Sequence, residues 1–99
     1  MKEKRYSKEF IEKIKSATSL PDLVHRYTKL NKYNQALCPF HSDKNPSLSV
    51  TPRKGLWYCH ACNIGGDAIK FIMLAEKIDF PQAVKMLASQ AGIGLDGKQ

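Results

Sequence analysis

The chain is poor in acidic residues, in cysteine pairs and in long apolar runs, and each shortage excludes a class of protein. Only nine of its 99 residues are Asp or Glu, against 16 Lys and Arg, so basic surfaces are not its natural partners. Three cysteines, an odd number, exclude a purely disulfide-stapled framework. No apolar run approaches the roughly 20 residues that span a bilayer, so no membrane partner is expected. The start, MKEKRYSKEF, is basic but has no apolar stretch or small-residue cleavage site behind it. The expectation is a cytoplasmic, reducing setting, where closely spaced Cys and His read as metal ligands or redox thiols. No acid–base pair or nucleophile constellation is visible, and there are no repeats or low-complexity segments.

What is present is a small domain with an uneven charge. A chain of this length buries a limited core, so an additional staple is expected. The net charge is +7. Residues 1–22 carry six basic and four acidic side chains, net +2, and residues 67–99 carry four of each. Residues 23–66 carry Arg26, Lys29, Lys32, Lys44, Arg53 and Lys54 against the single acid Asp43, net +5, and hold every cysteine. Polyanions suit such a surface, while the bland reading is a soluble domain with many lysines.

Periodicity predicts the elements. Ser7 suits a helix N-cap, and Phe10, Ile11, Ile14 and Ala17 mark an amphipathic helix over 8–17. Leu20, Leu23, Val24 and Tyr27 mark a second short helix, with Pro21 in its first turn. Short strands are expected at Tyr27–Leu30 and Gln35–Leu37, joined by a turn through Asn31–Asn34. Residues 47–51 alternate polar and apolar, Pro52-Arg53-Lys54-Gly55 is a turn, and Leu56–Cys59 returns as the hairpin partner. Gly65-Gly66 ends the β region. Asp67 and Asp79 cap two further helices, the second closed by Gly92. The expected fold is a small α+β domain, an antiparallel sheet flanked by N- and C-terminal helices. Its parts are a tail at 1–6, helices at 7–27, the sheet at 28–66, a helical pair at 67–92 and a tail or linker at 93–99.

The strongest pattern is Cys38-Pro39-Phe40-His41, 17 residues, then Cys59-His60-Ala61-Cys62. Two residues between ligands let one tight turn present both to a single ion. Two such turns complete a tetrahedron, so Cys38, His41, Cys59 and Cys62 read as a closed structural zinc site for one ion. In so small a domain the metal supplies much of the folding free energy. Cys59 and Cys62 read as a redox pair would leave Cys38 and His41 unexplained, and an iron–sulfur cluster favours four cysteines. His60 competes with His41 for the fourth position, but His41 restores the paired spacing and His60 should point outward. His25 reads as a surface or core histidine.

Around these turns lie Lys44, Arg53, Lys54, Trp57, Tyr58 and His60, basic groups interleaved with aromatics as single-stranded nucleic acid binding requires. Leu56, Tyr58 and His60 share one face of their strand and Trp57 shares the other with Cys59; which face covers the helices is open, and Trp57 reads equally as core. Phe40 is expected to pack against a helix.

At these residues the chain resembles the N-terminal zinc-binding domain of bacterial DnaG-type DNA primases. The matching stretches are Leu37-Cys38-Pro39-Phe40-His41, Lys44-Asn45-Pro46-Ser47, Trp57-Tyr58-Cys59-His60-Ala61-Cys62, Gly65-Gly66-Asp67-Ala68-Ile69-Lys70-Phe71 and Phe80-Pro81-Gln82-Ala83-Val84. The resemblance covers roughly residues 7–95. It implies a zinc-ribbon-type antiparallel sheet flanked by N- and C-terminal helices, and contact with single-stranded DNA template during RNA primer synthesis in DNA replication. It also implies a primase catalytic domain or replicative helicase as partner, and adds Lys70 to the candidate DNA contacts. Arg53 and Lys54 rest on charge alone. Leu48 stands where the family often has an aromatic, so a stacking platform is expected to be missing, and Ala61 and Asn63 replace glycines beside the last cysteine. Nothing in the chain resembles the family's catalytic polymerase domain, so no enzyme activity is expected of it alone. A second reading is a stand-alone zinc-stapled adaptor, of the kind mobile elements carry, that docks a replication protein; Phe71, Met73 and Leu74 are its candidate contacts where they stay exposed, with core packing expected for two of them.

Overall fold

The computed structural model describes residues 6–40 and 45–93. Its elements in chain order are α1 (Lys8–Ala17), α2 (Leu20–His25), β1 (Gln35–Ala36), β2 (Leu48–Thr51), β3 (Leu56–Cys59), β4 (Ile64–Gly66), α3 (Ala68–Glu76) and α4 (Phe80–Ala91). The four strands form one antiparallel sheet in sequence order, so every connection is a local return.

Each helix begins where a short polar side chain satisfies its first amides. Ser7 accepts from the Phe10 N–H, Ser19 from Asp22, Asp67 from Lys70 and Asp79 from Gln82. α4 ends at Gly92 in the left-handed conformation (φ 75°), as the sequence predicts. α3 ends the same way at Lys77 (φ 57°), where no glycine announces the stop.

Two strand expectations change. Tyr27–Leu30 is not a strand: the Tyr27 and Thr28 amides bond back to the Val24 carbonyl and prolong the turn of α2. The ladder partner of β1 is instead β2, with Gln35 opposite Ser49 and Ala36 opposite Leu48. Conversely, Ile64–Gly66 does not merely end the β region but pairs with β3. Two adjacent glycines are poor strand formers, and close packing explains them. A Cβ on Gly65 would lie 2.5 Å from the Trp57 carbonyl and 2.8 Å from Tyr58 Cδ1, and one on Gly66 would lie 2.8 Å from Lys70 Cβ.

One face of the sheet is sealed by the helices. Leu48, Val50, Trp57 and Cys59 point inward and join Ile14, Val24, Ile69, Phe71, Ile72, Val84 and Leu87 in the core. Phe71 sits at its aromatic centre, with ring centroids 5.5 Å from Tyr27, 5.3 Å from Phe40 and 5.5 Å from Trp57. Asp67 ties three elements together. One carboxylate oxygen caps α3 and the other meets Lys15 of α1 at 3.4 Å, while its carbonyl accepts from the Trp57 indole N–H at 2.8 Å. No helix among the described residues is long and apolar enough to cross a membrane.

Candidate metal centre and nucleic-acid interface

The three cysteines converge. Cys38 follows β1, Cys59 ends β3, and Cys62 sits in the tight turn between β3 and β4. Their sulfurs lie within 4.8 Å of one another, and Cys38 Sγ is 3.7 Å from Cys62 Sγ. None of the three is in a disulfide. A tetrahedron of about 2.3 Å zinc–sulfur bonds separates its sulfurs by about 3.8 Å, so the cluster fits that ion. The Cys62 amide points at Cys59 Sγ at 3.4 Å, an N–H···S contact within the tight ligand turn. That turn needs a left-handed residue, which Asn63 supplies at φ 60°. Asn therefore takes over the conformational role that a glycine would have had.

The electrostatics of the thiols are those of a site built for a cation. Burial pushes the Cys38 thiol up to about 12, with the neighbouring Cys59 and Cys62 sulfurs adding to the rise and the Phe40 amide opposing it. Burial also opposes ionisation of Cys59, but the Cys62 amide, the Cys38 and Cys62 thiols and the Ala61 amide outweigh it, and its pKa falls. Ionisation is thus eased at Cys59 and opposed at Cys38, and a divalent cation beside the sulfurs would favour the charged form of each. His41, the expected fourth ligand, lies outside the described residues, as does Lys44.

The opposite face of the sheet is open. Tyr58 is 40% exposed, and its position is fixed: the ring lies against Gly65, its hydroxyl donates to Asn63 Oδ1 at 3.2 Å, and its ring centroid is 5.0 Å from that of His60 in an edge-on arrangement. Ser49 stands opposite Tyr58, and Gln35 opposite Ser49, so a polar row crosses the sheet beside the ring. His60 is exposed, as expected. Arg53 and Lys54 are exposed at the tip of the β2–β3 hairpin, and neither is in an ion pair with any described residue. They border a half-open groove of about 540 Å³ whose other wall is α1 and the start of α2. Lys70 is exposed on α3 with its stem lying over Gly66.

Trp57 requires correction as a nucleic-acid contact. It is 2% exposed, its indole N–H is committed to Asp67, and its ring packs on Phe40 and Phe71, so no base can reach it. Leu48 is fully buried as well. An aromatic there would face the core, so this departure removes no platform from the open face. Phe40 packs against Phe71 of α3, as expected. His25 is a surface residue whose Nδ1 accepts from the Leu30 amide. Of the residues expected to form an adaptor face, Phe71 is fully buried and Met73 and Leu74 pack partly against the core. The pattern missed the role of Gly65 and Asn63 in holding Tyr58. The available signal was their position, Asn63 directly after Cys62 and Gly65 two residues further on.

Comparison with known proteins agrees with this geometry. A family model described as a CHC2 zinc finger, the zinc ribbon of DnaG, matches residues 6–99. The DNA primase of Campylobacter jejuni is 40% identical over 90% of this chain and 15% of its own length. The DNA primase of Geobacillus stearothermophilus is 39% identical over 92% of this chain and 16% of its own. A crystal structure of the Aquifex aeolicus primase, comprising zinc-binding and RNA polymerase domains, superposes with a TM-score of 0.79 at 35% identity, covering 91% of this chain and 23% of that one. The chain thus spans only about a sixth of the length of these curated relatives.

Proposed function

Because the chain belongs to the CHC2 zinc finger family, we propose that it is a non-catalytic, zinc-stapled module that holds single-stranded DNA template for primer synthesis. In this reading Cys38, Cys59, Cys62 and His41 hold one structural zinc ion. The ion supplies a cross-link between the segment after β1 and the β3–β4 turn, and its charge makes the paired thiolates tolerable. Tyr58 and His60 offer rings to unstacked bases. Arg53, Lys54, Lys70 and Lys44 meet phosphates, with Ser49 and Gln35 within the same face. The partners are then the polymerase machinery of a primase or a replicative helicase.

The observation that supports this most is the two-sidedness of the sheet. Its inner face is consumed by the core and the thiols. Its outer face carries an exposed aromatic held in place, and the hairpin tip at the end of the sheet carries cations in no ion pair with a described residue. A base stacked on such a ring is worth about 1–3 kcal/mol, and cations alone give binding that tracks the backbone.

The test is a titration of zinc-loaded protein with single-stranded and duplex DNA at two salt concentrations, with metal content measured on the same sample. Single strands should bind in the micromolar range or weaker, more tightly than duplex, and lose affinity as salt rises. Each phosphate contact contributes about −0.7 to the slope of log K against log salt. Arg53→Glu should weaken binding and flatten that slope without lowering the melting temperature. Binding that is indifferent to salt and to this charge reversal would defeat the proposal.

A further inference from the structure

The connection between α2 and β1 carries a feature that neither the zinc site nor the described sheet face uses. Tyr33 is 69% exposed, the most exposed of the large hydrophobic side chains among the described residues. It sits in a turn that is unusually well fastened. The Asn31 side-chain oxygen accepts from the Tyr33 amide at 2.8 Å and the Gln35 amide at 3.0 Å. The Asn31 amide donates to the Gln35 carbonyl, the Asn34 amide to the Asn31 carbonyl, and Asn34 adopts a left-handed φ of 60°. The turn is bolted to the sheet by the Val50 amide, which donates to the Asn34 carbonyl at 2.9 Å, and to α2 through His25 and the Leu30 amide.

Such a turn orders its backbone while leaving its largest side chain in water. An exposed ring on a rigid mount gains nothing for the fold, but it presents contact area at little entropic cost on binding. The charge carried by the connection itself has one sign, and the acid that meets it, Glu76 of α3, is bonded to Tyr27 at its start. Lys32 Nζ lies 5.3 Å from the centroid of the Tyr33 ring, Arg26 and Lys29 are exposed on the same connection, and no acid occurs between Leu23 and Ser42. None of these three cations is in an ion pair with a described residue.

The placement relative to the sheet decides what this surface serves. Gln35, two residues after Tyr33, is in register with Ser49, which is in register with Tyr58, so the three share the open face. Two interstrand steps of about 4.8 Å separate Gln35 from Tyr58. A single strand laid across the sheet from Tyr58 therefore leaves it over β1 and arrives at the Asn31–Asn34 turn.

We propose that this turn is a second stacking platform, with Tyr33 receiving a base and Lys29 and Lys32 its flanking phosphates, so that the single-strand site extends beyond the edge of the sheet. The inference rests on the sheet-face reading above, but it can fail by itself. Its test is an NMR titration of zinc-loaded protein with oligothymidylates of roughly 4 and roughly 12 nucleotides, bracketing the short end of known single-strand site sizes. The proteins are the wild type, Tyr33→Ala, Tyr33→Trp and Tyr58→Ala.

Tyr33→Ala should lose on the order of 5- to 20-fold in affinity for the longer oligomer and less than about 2-fold for the shorter, because stacking is a per-base effect. Tyr33→Trp should retain or improve on wild-type binding, and Tyr58→Ala should weaken both oligomers. The melting temperature of Tyr33→Ala should match the wild type, since its ring packs on nothing in the core. If Tyr33→Ala binds both oligomers as the wild type does while Tyr58→Ala weakens both, the turn is no subsite and the sheet reading survives. If neither alanine variant alters binding, or the wild type binds neither oligomer, the sheet reading falls and takes this inference with it.

Discussion

Replacing Phe71 tests whether the metal centre and the helices stand or fall as one unit. The ring is fully buried and touches Tyr27 beside α2, Phe40 beside the first cysteine, and Trp57 on the inner sheet face. Phe→Ala in a core costs about 3–5 kcal/mol, and a well-oriented aromatic pair is worth about 0.5–1.5 kcal/mol beyond its area. With three such pairs lost at once, Phe71→Ala belongs at the upper end of that range. A domain of this size has roughly 5–15 kcal/mol in total. Each kcal/mol shifts its midpoint by about 4–8 °C, so a cost of about 5 kcal/mol gives a drop of about 20–40 °C. Phe71→Leu keeps most of the volume and should cost roughly 1–2 kcal/mol.

The assay is thermal and urea unfolding with free zinc buffered at one concentration, because a metal that binds only the folded state adds stability by mass action. A second readout is zinc transfer to a chromophoric chelator. Phe40 is two residues from Cys38 and rests on Phe71, so Phe71→Ala should release zinc faster, whereas Lys85→Ala on the exposed side of α4 should not. If Phe71→Ala costs no more than Phe71→Leu and holds zinc like the wild type, the aromatic cluster does not couple the two halves and the reasoning is wrong.

Cys59→Ser should abolish stoichiometric zinc and leave the chain unfolded, since a structural zinc ion supplies on the order of 10 kcal/mol and the thiol is fully buried; metal analysis and circular dichroism would check this, and a serine variant that kept its zinc and its melting point would contradict it. Gly65→Ala should cost about 1–3 kcal/mol and weaken single-strand binding together, because the added methyl meets the Trp57 carbonyl and the Tyr58 ring; a variant with wild-type melting and binding would refute the close approach. Tyr27 has its pKa raised to about 12 by burial and by its 2.6 Å hydrogen bond to Glu76. A raised folded-state value means its contribution is complete below pH 10 and is lost as pH climbs toward 12. Tyr27→Phe should flatten the pH 10–12 limb of a stability profile, and an unchanged limb would count against the bond.

The parts of this fold that could be read in the sequence are those whose signal is local. Ser7, Asp67, Asp79 and Gly92 announce helix ends through chemistry that operates within three or four residues, and all four occur where expected. The cysteine spacing likewise encodes a turn. Where the reading failed, the deciding partner was distant in sequence. Tyr27–Leu30 has strand-like composition, but the ladder opposite β1 is taken by β2, and the chain after α2 is left to finish its helical turn. β4 was hidden because its two glycines look like breakers, and the Trp57 carbonyl, the ring of Tyr58 and the stem of Lys70 explain why nothing larger fits. Trp57 was ambiguous for a different reason. Alternation showed that it and Tyr58 face opposite ways, but not which way was inward, and that was settled by Asp67 capping α3 directly beside the indole.

That ambiguity has a consequence for how changes in this chain should behave. On β3 the inward residues Trp57 and Cys59 are joined through packing and thiol contacts to almost everything that stabilises the domain, whereas the outward residues Leu56 and Tyr58 touch little beyond the sheet surface. Distant residues with no shared partners contribute nearly additively, and coupling is confined to neighbours. Substitutions of Arg53, Lys54 or Tyr33 should therefore act on ligand affinity alone, and those of Trp57, Phe71 or the cysteines on folding first. Gly65 is the exception, because its missing side chain is what lets the Tyr58 ring lie on the outer face while the Trp57 carbonyl closes the ladder beneath it. Stability and binding must change together there, as they must at Asn63, whose left-handed backbone shapes the cysteine turn and whose Oδ1 accepts from the Tyr58 hydroxyl.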